Sequence, residues 1–286
     1  AGGFVAGGGT LGIIIPPSIP LILYGVITET SIGQLFIGGV VPGIIMMSLF
    51  TLYVVLSRPR VMITHSISLE ERMTITRRSL GVVLLPVVII VAIYTGVFTP
   101  TEVGALSVLY VCALGFAQKK LSFADLKAAA VVATGATTML FMLIVFGQYF
   151  AHFLTFEQVP QAIAAAIIEN ASGIWAVTLM IMAYIVLGMF LESAAMLLIS
   201  IPIFFPVAEQ LGMDPIVFGI FAAISMEIAQ ISPPIGVNLF TIHGISKIDL
   251  WKLARGALPF LLIQIGMLYL VYLVPEIVLW LPNSMK

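Results

Sequence analysis

Gly9-Thr-Leu-Gly-Ile-Ile-Ile-Pro-Pro-Ser-Ile-Pro-Leu-Ile-Leu-Tyr-Gly25 is apolar enough to enter a bilayer, yet it carries a Pro-Pro pair at its centre. Far downstream, Ile231-Ser-Pro-Pro-Ile-Gly-Val-Asn-Leu-Phe240 has the same arrangement. Residues 16–44 laid over 233–261 without a gap align Pro16-Pro17 with Pro233-Pro234, Gly39 with Gly256 and Pro42 with Pro259. Both copies then run from a Pro-Pro through 24 residues to a single Pro inside a long apolar stretch. Self-similarity at a fixed offset, here 217 residues, is the mark of a duplicated architecture.

Composition sets the solvent. Of 286 residues, 61% are hydrophobic and only 9% charged, against about a quarter charged in soluble domains. That balance excludes a soluble enzyme, a nucleic-acid binder and a disordered scaffold, and leaves an all-α polytopic membrane protein. One cysteine, Cys112, excludes a disulfide framework, and His65, His152 and His243 are too scattered for a zinc cluster. The chain opens on Ala1 without a basic n-region or a signal-peptide pattern, and is expected to begin partway through a longer protein.

A span needs about 20 apolar residues. The stretches 35–56, 80–96, 128–153 and 257–280 qualify, with a shorter one at 103–117. Three more are interrupted: 2–27 by Pro16, Pro17 and Pro20, 174–206 by Glu192, Pro202 and Pro206, and 216–244 by Pro233 and Pro234. Eleven of the twelve Lys and Arg fall in 57–79, 118–127 and 247–255, which places those loops in the cytoplasm. The segments 28–34, 97–102, 155–172 and 207–215 carry acids without Lys or Arg and face outward. With both flanks outside, 174–206 reads as a re-entrant hairpin; two short spans joined by a tight turn at Glu192 are the alternative. The stretch 156–170 reads as an interfacial amphipathic helix, and Phe98-Thr-Pro-Thr-Glu102 as an outer turn with a helix starting at Pro100.

On this topology the two Pro-Pro helices run in opposite directions, the layout of secondary transporters built from inverted repeats. A break at membrane depth is tolerated only within protein or beside water. Its carbonyl end attracts cations and its N–H end attracts anions. Thr10 and Ser18 near the first break, and Gln230, Ser232 and Asn238 near the second, add oxygen ligands suited to sodium or else satisfy loop backbone. Glu192 and Glu227 lie in apolar runs, where an ionisable group is a functional hypothesis by default. Each fits a cation-tuning role or a hydrogen-bonded structural one. No GxxxxGK[ST], GxSxG or HExxH motif occurs, so no ATP site and no enzyme of those kinds is expected.

The two Pro-Pro stretches, together with Phe98-Thr-Pro-Thr-Glu102 and Leu187-Gly-Met-Phe-Leu-Glu192, resemble the large membrane subunit of tripartite ATP-independent periplasmic (TRAP) transporters. The motifs occur in that family's order over nearly the whole chain. The resemblance implies a sodium-driven importer of organic anions such as C4-dicarboxylates or sialic acid, in the bacterial inner membrane and without a cofactor. It also implies a soluble periplasmic substrate-binding protein and a small membrane subunit as partners. The fold it implies is of the elevator type, with a transport domain sliding against a scaffold.

Carried onto this chain, one sodium site uses Gly188, Ala229, Ser232 and Ile235, and the other uses Gly12, Ile15 and Ser18, completed by a hairpin upstream of Ala1. Pro16, Pro17, Pro233 and Pro234 make the breaks. The substrate carboxylate is expected between Ser18, Glu192, Ser193 and Asn238. In domain terms, 1–27 is the first repeat's broken helix, in the transport domain. The segment 28–79 holds a scaffold helix and the basic loop, and 80–153 links the repeats. The second repeat's amphipathic helix, hairpin (174–206) and broken helix (216–244) fill 154–246, again in the transport domain, and 247–286 is a C-terminal scaffold helix. A sodium/anion symporter of related fold that needs no binding protein is the alternative.

Overall fold

The computed structural model describes residues 2–57, 68–170, 173–191, 193–233 and 236–284, and every regular element among them is a helix. Glu192, Pro234 and Ile235, three of the expected site residues, lie outside the described residues. The order is α1 (Gly2–Ile14), α2 (Ile19–Thr28), α3 (Ile32–Leu56), α4 (Leu69–Tyr94), α5 (Pro100–Ala117), α6 (Phe123–Phe156) and α7 (Val159–Asn170). It continues with α8 (Gly173–Gly188), α9 (Ser193–Gln210), α10 (Pro215–Ile231), α11 (Val237–Ser246), α12 (Leu250–Leu273) and α13 (Glu276–Asn283). Among the described residues, six helical segments are long and apolar enough to cross a membrane, and the chain is a polytopic membrane protein. Its exterior is that of a protein in lipid: Val82, Leu109 and Phe141 are each more than 60% exposed, and along all of α6 only Leu154 is buried.

Both Pro-Pro pairs interrupt helices where expected, between α1 and α2 and between α10 and α11. The single prolines Pro42 and Pro259 stay inside α3 and α12. The expected hairpin stretch resolves into two arms, α8 and α9, packed on one another. At the outer turn, Thr99 and Glu102 form a reciprocal capping box that starts α5 at Pro100.

Among the boundaries that differ from the sequence reading, two have a clear local cause. The basic stretch expected as a loop over 57–79 is helical from Leu69, because Ser68 accepts the Glu71 N–H at 3.1 Å and two acids occupy the first turn. The span expected at 257–280 begins at Leu250, capped by Asp249, whose Oδ1 accepts the Lys252 N–H at 3.2 Å. It ends at Leu273, since Pro275 keeps the residue before it out of the helical region.

The chain divides into two compact units, residues 1–57 with 140–286, and residues 58–139. In the smaller, α4 packs on α5, and Tyr110 Oη donates to Gly81 O at 2.7 Å. In the larger, α10 is the axis. Every residue from Ile216 to Ala229 is buried, as expected of a helix apolar on all sides, and α10 packs against α1, α2, α3, α8, α9, α11, α12 and α13. The helices flanking the two Pro-Pro breaks cross around it: α1 packs on α12 and α10 on α3, while α11 packs on α1 and α2 on α10. One pair of contacts shows this crossing in detail. A Cβ on Gly39 would reach Ile220 Cδ1 at 3.5 Å, and one on Gly256 would reach Gly3 Cα at 3.2 Å. The 217-residue offset carries the first contact onto the second. Small residues at both points let the helices approach closely.

Candidate functional site

Each break starts from covalent chemistry. Pro16 and Pro17 have no N–H, so the carbonyls of Gly12 and Ile13 lose their i+4 donors. Leu11 O keeps its donor, the Ile15 N–H at 3.1 Å. Gly12 and Ile15 are exposed, whereas Ser18 is buried. Ser18 is the N-cap of α2, yet its side chain caps nothing, and its buried Oγ has no hydrogen-bond partner among the described residues. Leaving a buried hydroxyl unpaired costs about 1–3 kcal/mol, so such an atom in a native fold calls for an explanation, such as a ligand.

At the second break, Pro233 and Pro234 withdraw the donors that Ala229 O and Gln230 O would have had. Ala229 O recovers a longer bond from the Ser232 N–H, 3.3 Å, while Ser232 Oγ turns back to Ile228 O at 2.7 Å. Gly236 closes the loop by donating to Ser232 O at 3.0 Å. A Cβ on Gly236 would lie 2.6 Å from Gln230 O and 2.9 Å from Ser232 O, so two main-chain oxygens converge where a side chain would stand. Only glycine leaves that space open.

The hairpin tip meets this break. Gly188, the last residue of α8, sits so close to α10 that a Cβ would overlap the methyl of Ala229. Across the tip, Gln230 Nε2 donates to Ser193 Oγ at 3.0 Å. The structure therefore brings Gly188, Ala229, Ser193 and Gln230 together beside Ser232. Asn238, half-buried on α11, points to the exposed Gly9 of α1, whose Cβ position is 4.0 Å from Asn238 Nδ2. No hydrogen bond joins Ser18, Ser193 and Asn238 to one another among the described residues. Gly8 and Gly12 face open space, whereas the matching positions of α10, Ser225 and Ala229, are buried.

Between the breaks lies a polar cluster that sequence reasoning found only in part. Glu227 is wholly buried and accepts the Ile14 N–H at 3.2 Å through Oε1. Gln264, buried on α12, donates through Nε2 to Glu227 Oε2 at 3.4 Å and to Thr10 Oγ1 at 2.7 Å, and Thr10 donates to Gly7 O at 2.7 Å. Glu227 thus takes a hydrogen-bonded place between α1, α10 and α12. Gln264 was missed; its signal is a lone amide inside an apolar run. No cluster of three or more His, Cys, Asp or Glu suited to a resident metal occurs among the described residues.

Comparison with known proteins gives the family. Residues 1–277 match the family model of the tripartite ATP-independent periplasmic transporter, DctM component. The chain is 38% identical over 285 residues to the C4-dicarboxylate TRAP transporter large permease protein DctM of Pseudomonas aeruginosa, covering 98% of this chain and 67% of that protein. It is 34% identical over 291 residues to the sialic acid large permease SiaM of Vibrio cholerae (99% and 67%). To the ectoine large permease TeaC of Halomonas elongata it is 34% identical over 279 residues (95% and 64%). The chain therefore spans about two thirds of the length of these relatives. A membrane-embedded helical body with two helices broken at paired prolines, matched over nearly its whole length by that model, belongs to the DctM family of TRAP transporters, and is a large permease component rather than an enzyme.

Proposed function

We propose that this permease imports a carboxylate-bearing organic anion, of the C4-dicarboxylate or sialic acid kind, coupled to sodium and by elevator-type alternating access. A periplasmic binding protein delivers the substrate, and a small membrane subunit completes the assembly in the bacterial inner membrane. The observation that carries this reading is the second break, where Gln230 O and Ser232 O converge on the space left by Gly236. Carbonyl oxygens at the negative end of a helix are sodium chemistry. The unpaired Ser18 hydroxyl supports a second site at the first break.

In this reading Gly188, Ala229, Ser232 and Ile235 hold one sodium ion, and Gly12, Ile15 and Ser18 contribute to the other. Ser18, Glu192, Ser193 and Asn238 face the substrate carboxylate. The crossed packing of α1 on α12 and α10 on α3 supports an inverted repeat. It also argues that α3 and α12, expected as scaffold helices, travel with the broken helices. Gly256 lies directly on Gly3, and Gln264 bonds to both Thr10 and Glu227, contacts that sliding would break.

The test is uptake by proteoliposomes holding the full-length protein with its small subunit, supplied with labelled C4-dicarboxylate or sialic acid. Uptake that needs both an inward sodium gradient and the binding protein is expected. Sodium-driven uptake without the binding protein would replace this reading with a simple symporter. Uptake indifferent to sodium would remove the coupling ion.

A further inference from the structure

Thr10 and Glu227 occupy equivalent positions of the two repeats, 217 residues apart, and both bond to the same amide nitrogen of Gln264. Glu227 sits four residues before the end of α10, and the N–H it holds belongs to Ile14, the last residue of α1. Thr10 in turn grips Gly7 O within α1. All three side chains are shielded from solvent. We infer that Glu227 and Gln264 form a node that couples the two helix breaks, so that filling one cation site favours filling the other; Glu227 is a positioning residue, not a ligand. This inference rests on the sodium reading above.

The physical path is short. A cation drawn to the carbonyls at the end of α1 fixes the last turn of that helix, and with it the Ile14 N–H. Through Oε1 of Glu227 that position is handed to α10, two and three residues before Ala229 and Gln230, whose carbonyls shape the second site. Gln264 keeps the two helices in register, because it holds one polar atom of each. Breaking a bond in this node leaves further buried polar groups without partners, beyond Gln264 Oε1, which has none among the described residues, so the arrangement that keeps these bonds is favoured when both breaks are ordered together. Coupling of this kind is a reciprocal free energy between two sites, and a local reporter of one site reveals it as a Hill coefficient above unity.

The experiment places an environment-sensitive fluorophore at F240C, on the exposed side of the first turns of α11, in a C112A background of the full-length protein in liposomes. Equilibrium sodium titrations are read from that label. Independent filling of the second site gives a Hill coefficient of about one, whereas coupled filling gives a value approaching the number of sites. Expected are a coefficient clearly above one with the native node, about one in E227L and in the near-isosteric Q264M, and recovery in E227Q, which can still accept the Ile14 N–H. A structural lesion alone would lower the amount of folded protein and leave the coefficient as it was. An unchanged coefficient in Q264M or E227L, or a coefficient of one with the native node, overturns the inference while leaving sodium binding intact. No sodium response in any protein removes the sodium reading itself, and the node with it.

Discussion

Gly236→Ala adds one methyl group at the most crowded point of the second break. Its Cβ would stand 2.6 Å from Gln230 O and 2.9 Å from Ser232 O, where ordinary contact begins near 3.4 Å. Both obstacles are main-chain atoms, so no side-chain rotation relieves them, and the oxygens have to retreat by roughly 0.5–0.8 Å. Overpacking of this size costs about 1–3 kcal/mol. If the strain is relieved by opening the loop, the same energy is withdrawn from cation binding, a loss of roughly 5- to 150-fold in sodium affinity. The assay is the sodium dependence of uptake by proteoliposomes at saturating substrate, with monodispersity in detergent as the check on folding. A well-folded G236A protein is expected to need at least several-fold more sodium for half-maximal uptake. A G236A protein with native half-saturation and native maximal rate would refute the assignment of these carbonyls to a cation.

Three further outcomes follow from other contacts. Gly188→Ala forces the tip of α8 away from Ala229, and is expected to expose the hairpin to faster amide exchange and to depress uptake, while exchange in α4 and α5 is unchanged. Ser18→Ala removes a buried hydroxyl that has no partner among the described residues; thermal stability in sodium-free buffer should hold or rise by up to about 1 kcal/mol while the sodium requirement increases. That opposition between stability and function is read from melting and uptake on one preparation. Thr99→Ala breaks the capping box of α5 and should lower stability by about 0.5–2 kcal/mol without altering the sodium half-saturation, serving as the control remote from either break.

The features legible in the sequence are those that depend on covalent structure or local pairing. Proline lacks an N–H wherever it stands, so Pro16-Pro17 and Pro233-Pro234 locate both breaks without knowledge of any neighbour. Thr99 and Glu102 cap a helix within a single turn, and α5 starts where they indicate. What escaped depends on which faces meet in space. Gln264 is one amide in a long apolar run, and only the crossing of α1, α10 and α12 gives it partners. Gly236 resembles any loop glycine until two carbonyls are found beside it. α12 starts ahead of its apolar run because Asp249 caps it, so that Lys252 and Arg255, whose charges suggest a loop, form its first turns. Glu227 was recognised as important, but whether it served a cation or the fold depended on the Ile14 N–H lying within its reach.

The enclosure of α10 from Ile216 to Ala229 has a consequence for biogenesis. A helix of 17 residues that carries a carboxyl group four residues from its C-terminal end is a poor independent passenger through the insertion machinery, since a charged side chain within the bilayer is penalised by several kcal/mol. Its polar contacts come from α1, made before it, and from α12, made after it. The nascent chain must therefore keep α10 sheltered until translation of α12 delivers Gln264. Ribosome-stalled chains that end before α12 should expose Glu227 to membrane quality-control proteases, and the completed chain should conceal it.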